Sequence, residues 1–164
     1  MSASATADVH DGKRALRWFD DPADARGDRD WAAVARLRTE VFVEEQSCPW
    51  DEEFDRHDAS ARHALLRIDD APAATVRWRT VVDDGRETAK LERLAVARAF
   101  RGCGLGRTLI AAMIDDARRA GHTRIRLHAQ AHLQRLYERH GFVREGDRFD
   151  EAGIPHVAMV RSWA

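Results

Sequence analysis

Lysine is nearly missing from this chain. Of its 27 basic residues 25 are arginine, leaving only Lys13 and Lys90, a bias that the base composition of a genome produces without selection for function. Cysteine is as scarce. Cys48 and Cys103 cannot build the disulfide framework of a small secreted domain, and neither belongs to a CxxC pair of the kind that holds zinc, so the chain reads as cytoplasmic. Long apolar runs are absent too: the longest clean one, residues 109 to 114, is far short of the ~20 residues that cross a bilayer. Neither sign of charge dominates, with 27 Lys plus Arg against 28 Asp plus Glu and a net charge of −1, so no global field exists to hold a nucleic acid or a membrane surface. Residues 1–12 have neither a basic nor an apolar stretch and read as a flexible terminus rather than a signal peptide.

What is present is enough to close a core: 164 residues, 44% of them hydrophobic. There is no repeat, low-complexity tract or Pro/Gly/Ser linker, so residues 13–164 read as a single domain. Residues 14–20 suggest a first strand, and the loop DPADARGDRD offers Asp28 and Asp30 as N-caps. Trp31, Val34, Leu37, Val41 and Phe42 recur at helical spacing, predicting a helix from 30 to about 45 that Pro49 stops. Residues 63–68 and 73–82 predict a hairpin around Asp69–Pro72, with the next turn at Asp83–Gly85. A strand over 87–97, a glycine cluster, a helix ending at Gly121 and a half-buried strand over 123–129 make a βαβ unit, whose two strands must run parallel. On that helix Leu105, Leu109, Ala112, Met113 and Ala117 form the apolar face, and Asp115, Asp116, Arg118 and Arg119 the polar one. A short helix over 131–140 and a hairpin of 142–148 with 156–163, around the turn DEAGIP, complete the chain. The fold class is α+β: a mixed, mostly antiparallel sheet with one parallel pair, flanked by about four helices.

The informative segment is Arg101-Gly102-Cys103-Gly104-Leu105-Gly106-Arg107, between a strand and a helix N-terminus. Glycines there let backbone N–H groups crowd around an anion, and the helix dipole adds roughly +0.5 charge at the same point. The dinucleotide pattern GxGxxG fails in either register, and GxxxxGK[ST] fails because the loop has no lysine, which makes an NAD- or ATP-binding module a poor reading. RxxGxG remains. With LERLAVARAF before it, LIAAMIDDA after it and RLYERHGF about thirty residues on, it resembles the GNAT superfamily of acyl-CoA-dependent N-acetyltransferases over residues 30–163. LRTEVFVEEQSCPW, HAQAHLQRLYERHGF and DEAGIPHVAM resemble its ElaA-like branch.

The resemblance implies acetyl-CoA as co-substrate, with Leu94 and Val96 offering main-chain groups to pantetheine and Arg101, Gly102, Cys103, Gly104, Leu105, Gly106 and Arg107 holding the phosphates. Gln130 stands where many members have Asn beside the pantetheine arm. Cys103 reads as a small filler in the loop rather than a reactive thiol. Tyr137, the one tyrosine, matches the residue near the coenzyme sulfur, a phenol that stays protonated at neutral pH and can donate to the departing thiolate; the alternative is a helix-packing aromatic. Glu92 matches the acidic strand residue used as base, on the same side as Leu94 and Val96 by period-two alternation, or else it pairs with Arg93 or another arginine.

Residues 40–58 hold eight acids against Arg56 alone, a balance of −7 that would attract a cationic amine, and the resemblance implies that this stretch walls the acceptor site, with Glu44, Glu45 and Trp50 and, from the GIPH stretch, His156; a solvated acidic face is the alternative. Residues 98–144 carry ten Arg against Asp115, Asp116 and Glu138, a balance of +7 around the proposed phosphate loop. His57, His63 and His156 lack a third ligand at metal-binding spacing, so no metal is expected. An amine acceptor is the expected partner, nucleic acid and membrane are not, and a homodimer is left open. A catalytically silent acyl-CoA sensor or partner-binding domain is the rival to the enzyme.

Overall fold

A computed structural model describes residues 12–20 and 27–163. Seven strands are hydrogen bonded in the order β1-β2-β3-β4-β5-β7-β6. They are β1 (Arg14–Phe19), β2 (Arg62–Ile68), β3 (Ala71–Asp83), β4 (Arg86–Val96), β5 (Arg124–Gln130), β6 (Val143–Glu151) and β7 (Ile154–Ser162). The four α-helices among the described residues are α1 (Gly27–Arg38), α2 (Trp50–Glu53), α3 (Leu105–Arg119) and α4 (Gln134–Glu138). The expected α+β class holds: β4 and β5 run parallel from Ala89↔Ile125 to Leu91↔Leu127, while β1–β2, β5–β7 and β6–β7 are antiparallel.

Hairpin turns differ from expectation in length. Asp69–Asp70, Asp84–Gly85 and Ala152–Gly153 each have positive φ at both positions, the signature of the two-residue type I′ turn whose twist matches the strands it joins. Pro72 therefore lies within β3 rather than in the turn, and DEAGIP contributes only Ala152 and Gly153 to its turn. The expected N-caps Asp28 and Asp30 lie inside α1, which starts at Gly27; most of the preceding loop, residues 21–26, lies outside the described residues. Asp30 is instead buried against Arg67 at 2.7 Å and Arg17 at 2.9 Å.

The described residues form two compact units. The first comprises the chain to Arg77 together with Arg93–Leu109. In it α1 runs into a π-helical turn, Thr39–Glu45, and Val34 and Leu37 join Phe19 and Leu65 in a buried cluster. His63 is fully buried, stacked on Phe19 at 5.2 Å, with its Nε2 2.9 Å from the Asp58 carbonyl. Burial holds this imidazole below its ordinary pKa, so it is a neutral packing residue rather than a ligand.

An ionic cluster shares this unit. Arg38, on the apolar side of its helix, is 1% exposed and reaches Glu53 and Asp58, each at 2.7 Å. Arg77, also 1% exposed, reaches Asp58 at 2.8 Å and Asp55 at 2.9 Å. Arg93 reaches Glu53 at 3.0 Å and Asp55 at 3.2 Å. Burial is the largest influence on Glu53 and raises its carboxyl above the usual range in spite of Arg93 and Arg38. Burial acts on Asp55 too, but the hydrogen bonds and charge of Arg77 outweigh it and hold that carboxyl well below the usual range.

The second unit comprises Trp78–Glu92 and the chain from Ile110. Its core includes Ile110, Met113, Ile114, Ala117, Ile125, Leu127, Val157 and Met159. Asp116 departs from the expected polar face: it is buried and accepts a hydrogen bond from the Trp78 indole at 2.8 Å. At Gly121 helix α3 ends in a Schellman motif, His122 N–H donating to the Ala117 carbonyl and Gly121 N–H to that of Arg118.

Removing one member of a buried ion pair strands its partner, so Arg38→Ala should cost about 3–5 kcal/mol in urea unfolding, whereas an exposed control such as Arg107→Ala should change stability by less than about 0.5 kcal/mol. The depressed Asp55 and His63 both mean that the native state binds fewer protons there than the unfolded chain, so their contributions fade as pH falls, below about 6.5 for His63 and below about 4 for Asp55. Glu53 acts in the opposite sense, its contribution fading as pH rises through its raised value. Asp55→Asn should flatten the loss of stability between pH 5 and 3, measured by urea midpoints.

Candidate active site

The glycine loop is built from two left-handed glycines and a helix start. Gly102 and Gly104 have φ of +81° and +77°, and a Cβ added at either, or at Gly106, would meet nothing within 4 Å. The loop is therefore open above its backbone, as a cradle for a phosphate group requires, and α3 begins at Leu105 with its 15 residues behind it. Leu105 itself is buried and anchors the helix start. Thr108 fastens the turn, its amide and hydroxyl both donating to the Gly104 carbonyl at 3.1 Å. Arg14 of β1 donates to the Cys103 carbonyl at 3.2 Å and to the Thr108 hydroxyl at 3.4 Å. Cys103 is a free, half-buried thiol, and Arg107 is exposed.

Arg101 does more than lead the motif. Its Nε donates to the Val96 carbonyl at 3.0 Å and its terminal nitrogen to Glu45 at 2.9 Å, which brings two of the expected site residues to a third. The acidic stretch is thereby largely accounted for. Glu45 is paired with Arg101, and Glu53, Asp55 and Asp58 belong to the buried cluster, so the balance of −7 overstates the field: Arg38, Arg77, Arg93 and Arg101 answer it from outside the stretch. Glu44 is exposed, and Trp50 is 58% exposed, its ring 4.9 Å from that of Phe54.

Along β4 the alternation used for Glu92, Leu94 and Val96 is broken. Arg93 has φ of +56°, a left-handed residue in the middle of the strand, so period two does not carry past it. Its side chain is tied to the Glu52 and Glu53 carbonyls as well as to the ionic cluster. Glu92 lies on the near side of this break and pairs with Arg79, Nε to Oε2 at 3.0 Å and the terminal nitrogen to Oε1 at 3.2 Å, with Lys90 at 3.3 Å from Oε1. The expected pairing with an arginine is thus made with Arg79, and Lys90 shares it.

Tyr137 lies on α4 and is 5% exposed, its ring edge-on to Phe142 at 6.0 Å. A second Schellman motif fixes it: Phe142 N–H donates to the Tyr137 carbonyl and Gly141 N–H to that of Glu138, with Gly141 at φ +83°. Burial pushes the phenol above its ordinary pKa, so it stays protonated at neutral pH. Gln130, at the end of β5, stands opposite His156 in the β5–β7 register. His156 is 7% exposed and donates from Nδ1 to the Ile154 carbonyl at 2.7 Å. Close by, His128 and Glu151 form a hydrogen bond that composition and spacing gave no reason to single out; the only trace in the sequence is that His128 shares the polar side of β5 with Gln130.

A profile of the Acetyltransferase (GNAT) domain matches residues 32–162. The UPF0039 protein Rv2851c of Mycobacterium tuberculosis strain H37Rv is 40% identical over 131 residues, 78% of this chain and 81% of that protein. An acyl-CoA N-acyltransferase from Pseudomonas aeruginosa shares 35% identity with a TM-score of 0.79, over 90% of this chain and 100% of that one. Escherichia coli ElaA shares 28% identity with a TM-score of 0.79, over 92% of this chain and 100% of that one.

A side chain at Gly104 both strains the left-handed backbone, by roughly 1–2 kcal/mol, and fills the open face of the loop. Gly104→Val should therefore abolish calorimetric binding of coenzyme A while leaving a cooperative unfolding transition, whereas Cys103→Ser should bind like the wild type.

Proposed function

This chain belongs to the GNAT acetyltransferase family, whose members use an acyl-CoA and an acceptor, and from that premise we propose that it is an ElaA-like N-acetyltransferase moving the acetyl group of acetyl-CoA directly to a primary amine of a small molecule or peptide. The observation that carries the reading is the glycine loop: left-handed Gly102 and Gly104, open space above the backbone, and a 15-residue helix whose N-terminal amides begin there. Residues 13–164 act in this reading as one catalytic domain in the cytoplasm.

Arg101 through Arg107 hold the coenzyme's phosphates, chiefly through backbone N–H groups, and Leu94 and Val96 offer main-chain groups to pantetheine, with Gln130 beside that arm. The Val96 carbonyl is at present taken by Arg101, so pantetheine pairing there exchanges one donor for another. The acetyl carbonyl carbon forms a bond to the nitrogen of the neutral amine, its bond to sulfur breaks, Tyr137 gives the departing thiolate its proton, and the proton that the nitrogen loses returns to the tyrosinate. Glu44, Glu45, Trp50 and His156 form the acceptor wall in this reading. With Glu45 already paired, Glu44 and the exposed Trp50 ring remain for a cationic acceptor, by charge and by cation–π contact.

One observation favours a silent acyl-CoA sensor instead: both oxygens of Glu92 are engaged by Arg79 and Lys90, which leaves the expected base poorly placed to take a proton. A thiol-release assay with polyamines, aminoglycosides and lysine peptides separates the two. Release with a cationic amine supports the transferase; acetyl-CoA binding by calorimetry with no release from any amine supports the sensor. In the same assay Tyr137→Phe should lower kcat by roughly 10²- to 10⁴-fold, and unchanged turnover removes Tyr137 from the reaction.

A further inference from the structure

The second unit carries a polar side to its sheet that the reading above leaves almost unused. On β5 Arg124, Arg126, His128 and Gln130 alternate with buried Ile125, Leu127 and Ala129. His128 Nδ1 lies 3.1 Å from Glu151 Oε1 on β6. A carboxylate only accepts hydrogen bonds, so Nδ1 is the protonated nitrogen of this ring and, in the neutral imidazole, Nε2 carries the lone pair. Phe149 meets the His128 ring edge-on at 5.0 Å and stacks with His156 at 6.1 Å, which restricts the rotation of both. His156 cannot play the same part as readily: its Nδ1–H is given to the Ile154 carbonyl, and its Nε2 faces Glu151 Oε2 at 3.6 Å. The hydrogen bond from His128 is the largest influence on Glu151 and holds its carboxyl below the ordinary value, so the pair is an imidazole backed by a carboxylate.

We infer that His128, oriented by Glu151, is the base that deprotonates the acceptor ammonium. The inference rests on the transferase reading and supplies the base that Glu92, held by Arg79 and Lys90, does not. The substrate R–NH₃⁺ gives one proton to Nε2, leaving R–NH₂ and an imidazolium stabilised by Glu151. The amine nitrogen then bonds to the thioester carbonyl carbon as the carbon–sulfur bond breaks. The second nitrogen proton restores Tyr137, whose own proton has made the thiolate a thiol, and the imidazolium returns its proton to solvent. The charged group on the ring is Glu151 of β6, which His156 of β7 and Lys90 of β4 also influence; the other charged groups of these strands are paired among themselves, Lys90 with Glu92 of β4 and Arg126 of β5 with Glu145 of β6.

The test compares wild type, His128→Asn and Glu151→Gln with acetyl-CoA and three acceptors, spermidine, kanamycin and an Nα-blocked lysine peptide, from pH 6 to 9. Asn reproduces the Nδ1–H donor to Glu151 but has no basic nitrogen, so a structural role survives the change and a catalytic one does not. His128→Asn should lose 10²- to 10⁴-fold in kcat and the ascending limb of the pH profile, with KM for acetyl-CoA unchanged; Glu151→Gln should shift that limb. A His128→Asn enzyme within twofold of wild type, with an unaltered profile, overturns the proposal. Nitrogen-15 spectra of the unmodified full chain give a readout independent of the acceptor. A His128 ring protonated at Nδ1 and bare at Nε2 supports the assignment, and one protonated at Nε2 at neutral pH overturns it. Coenzyme binding without release from wild type defeats the transferase reading, an outcome the tautomer does not move.

Discussion

Three arginines and three carboxylates, with Arg38, Arg77 and Glu53 almost wholly buried, organise the first unit. Arg38, Arg77 and Arg93 come from a helix and two strands and are bridged by Glu53, Asp55 and Asp58, which belong to one short stretch running from the end of α2 toward β2. Desolvating six charges is costly, and mutual attraction recovers the cost only when every partner is in place. That condition is also a constraint on shape. The stretch cannot move without stranding a guanidinium, and Arg93, the left-handed residue in β4, cannot straighten without leaving four oxygen partners. The break in β4 immediately before Leu94 and Val96 is therefore held by charge pairing rather than by a glycine.

How much of this was legible in the sequence follows the range of the forces involved. Local signals are legible: helical spacing of Trp31, Val34 and Leu37, the half-buried strand at β5, Gly121 as a helix stop, and the βαβ order that forces β4 and β5 to be parallel. Turn lengths were misjudged because Asp, Pro and Gly mark a turn region without saying which two residues take positive φ. Asp116 departs from its expected polar face, and the burial of Arg38 goes unsignalled, for a different reason. A helical wheel assigns charges to solvent, and only tertiary structure reveals that Trp78 or a set of carboxylates waits on the buried side.

The candidate site shows the same division. The loop was legible because its glycines and helix start are contiguous in sequence. The electrostatics were not, since counting charges within residues 40–58 ignores the four arginines that reach in from positions 38, 77, 93 and 101. The pairing of His128 with Glu151 was illegible for a similar reason: 23 residues separate them, and only the register of β5 against β7 and of β7 against β6 brings them together.

The scarcity of lysine has a chemical consequence in a family that handles activated thioesters. A lysine amine, once it loses its proton, is a nucleophile toward an acyl donor, and acylation would erase its charge permanently. Guanidinium groups stay protonated and do not attack thioesters at neutral pH. A cluster that depends on cations at positions 38, 77 and 93 is thus built from side chains that an acyl donor cannot neutralise, whatever the origin of the bias toward arginine. The ionic core of the first unit is inert to the reagent its family carries.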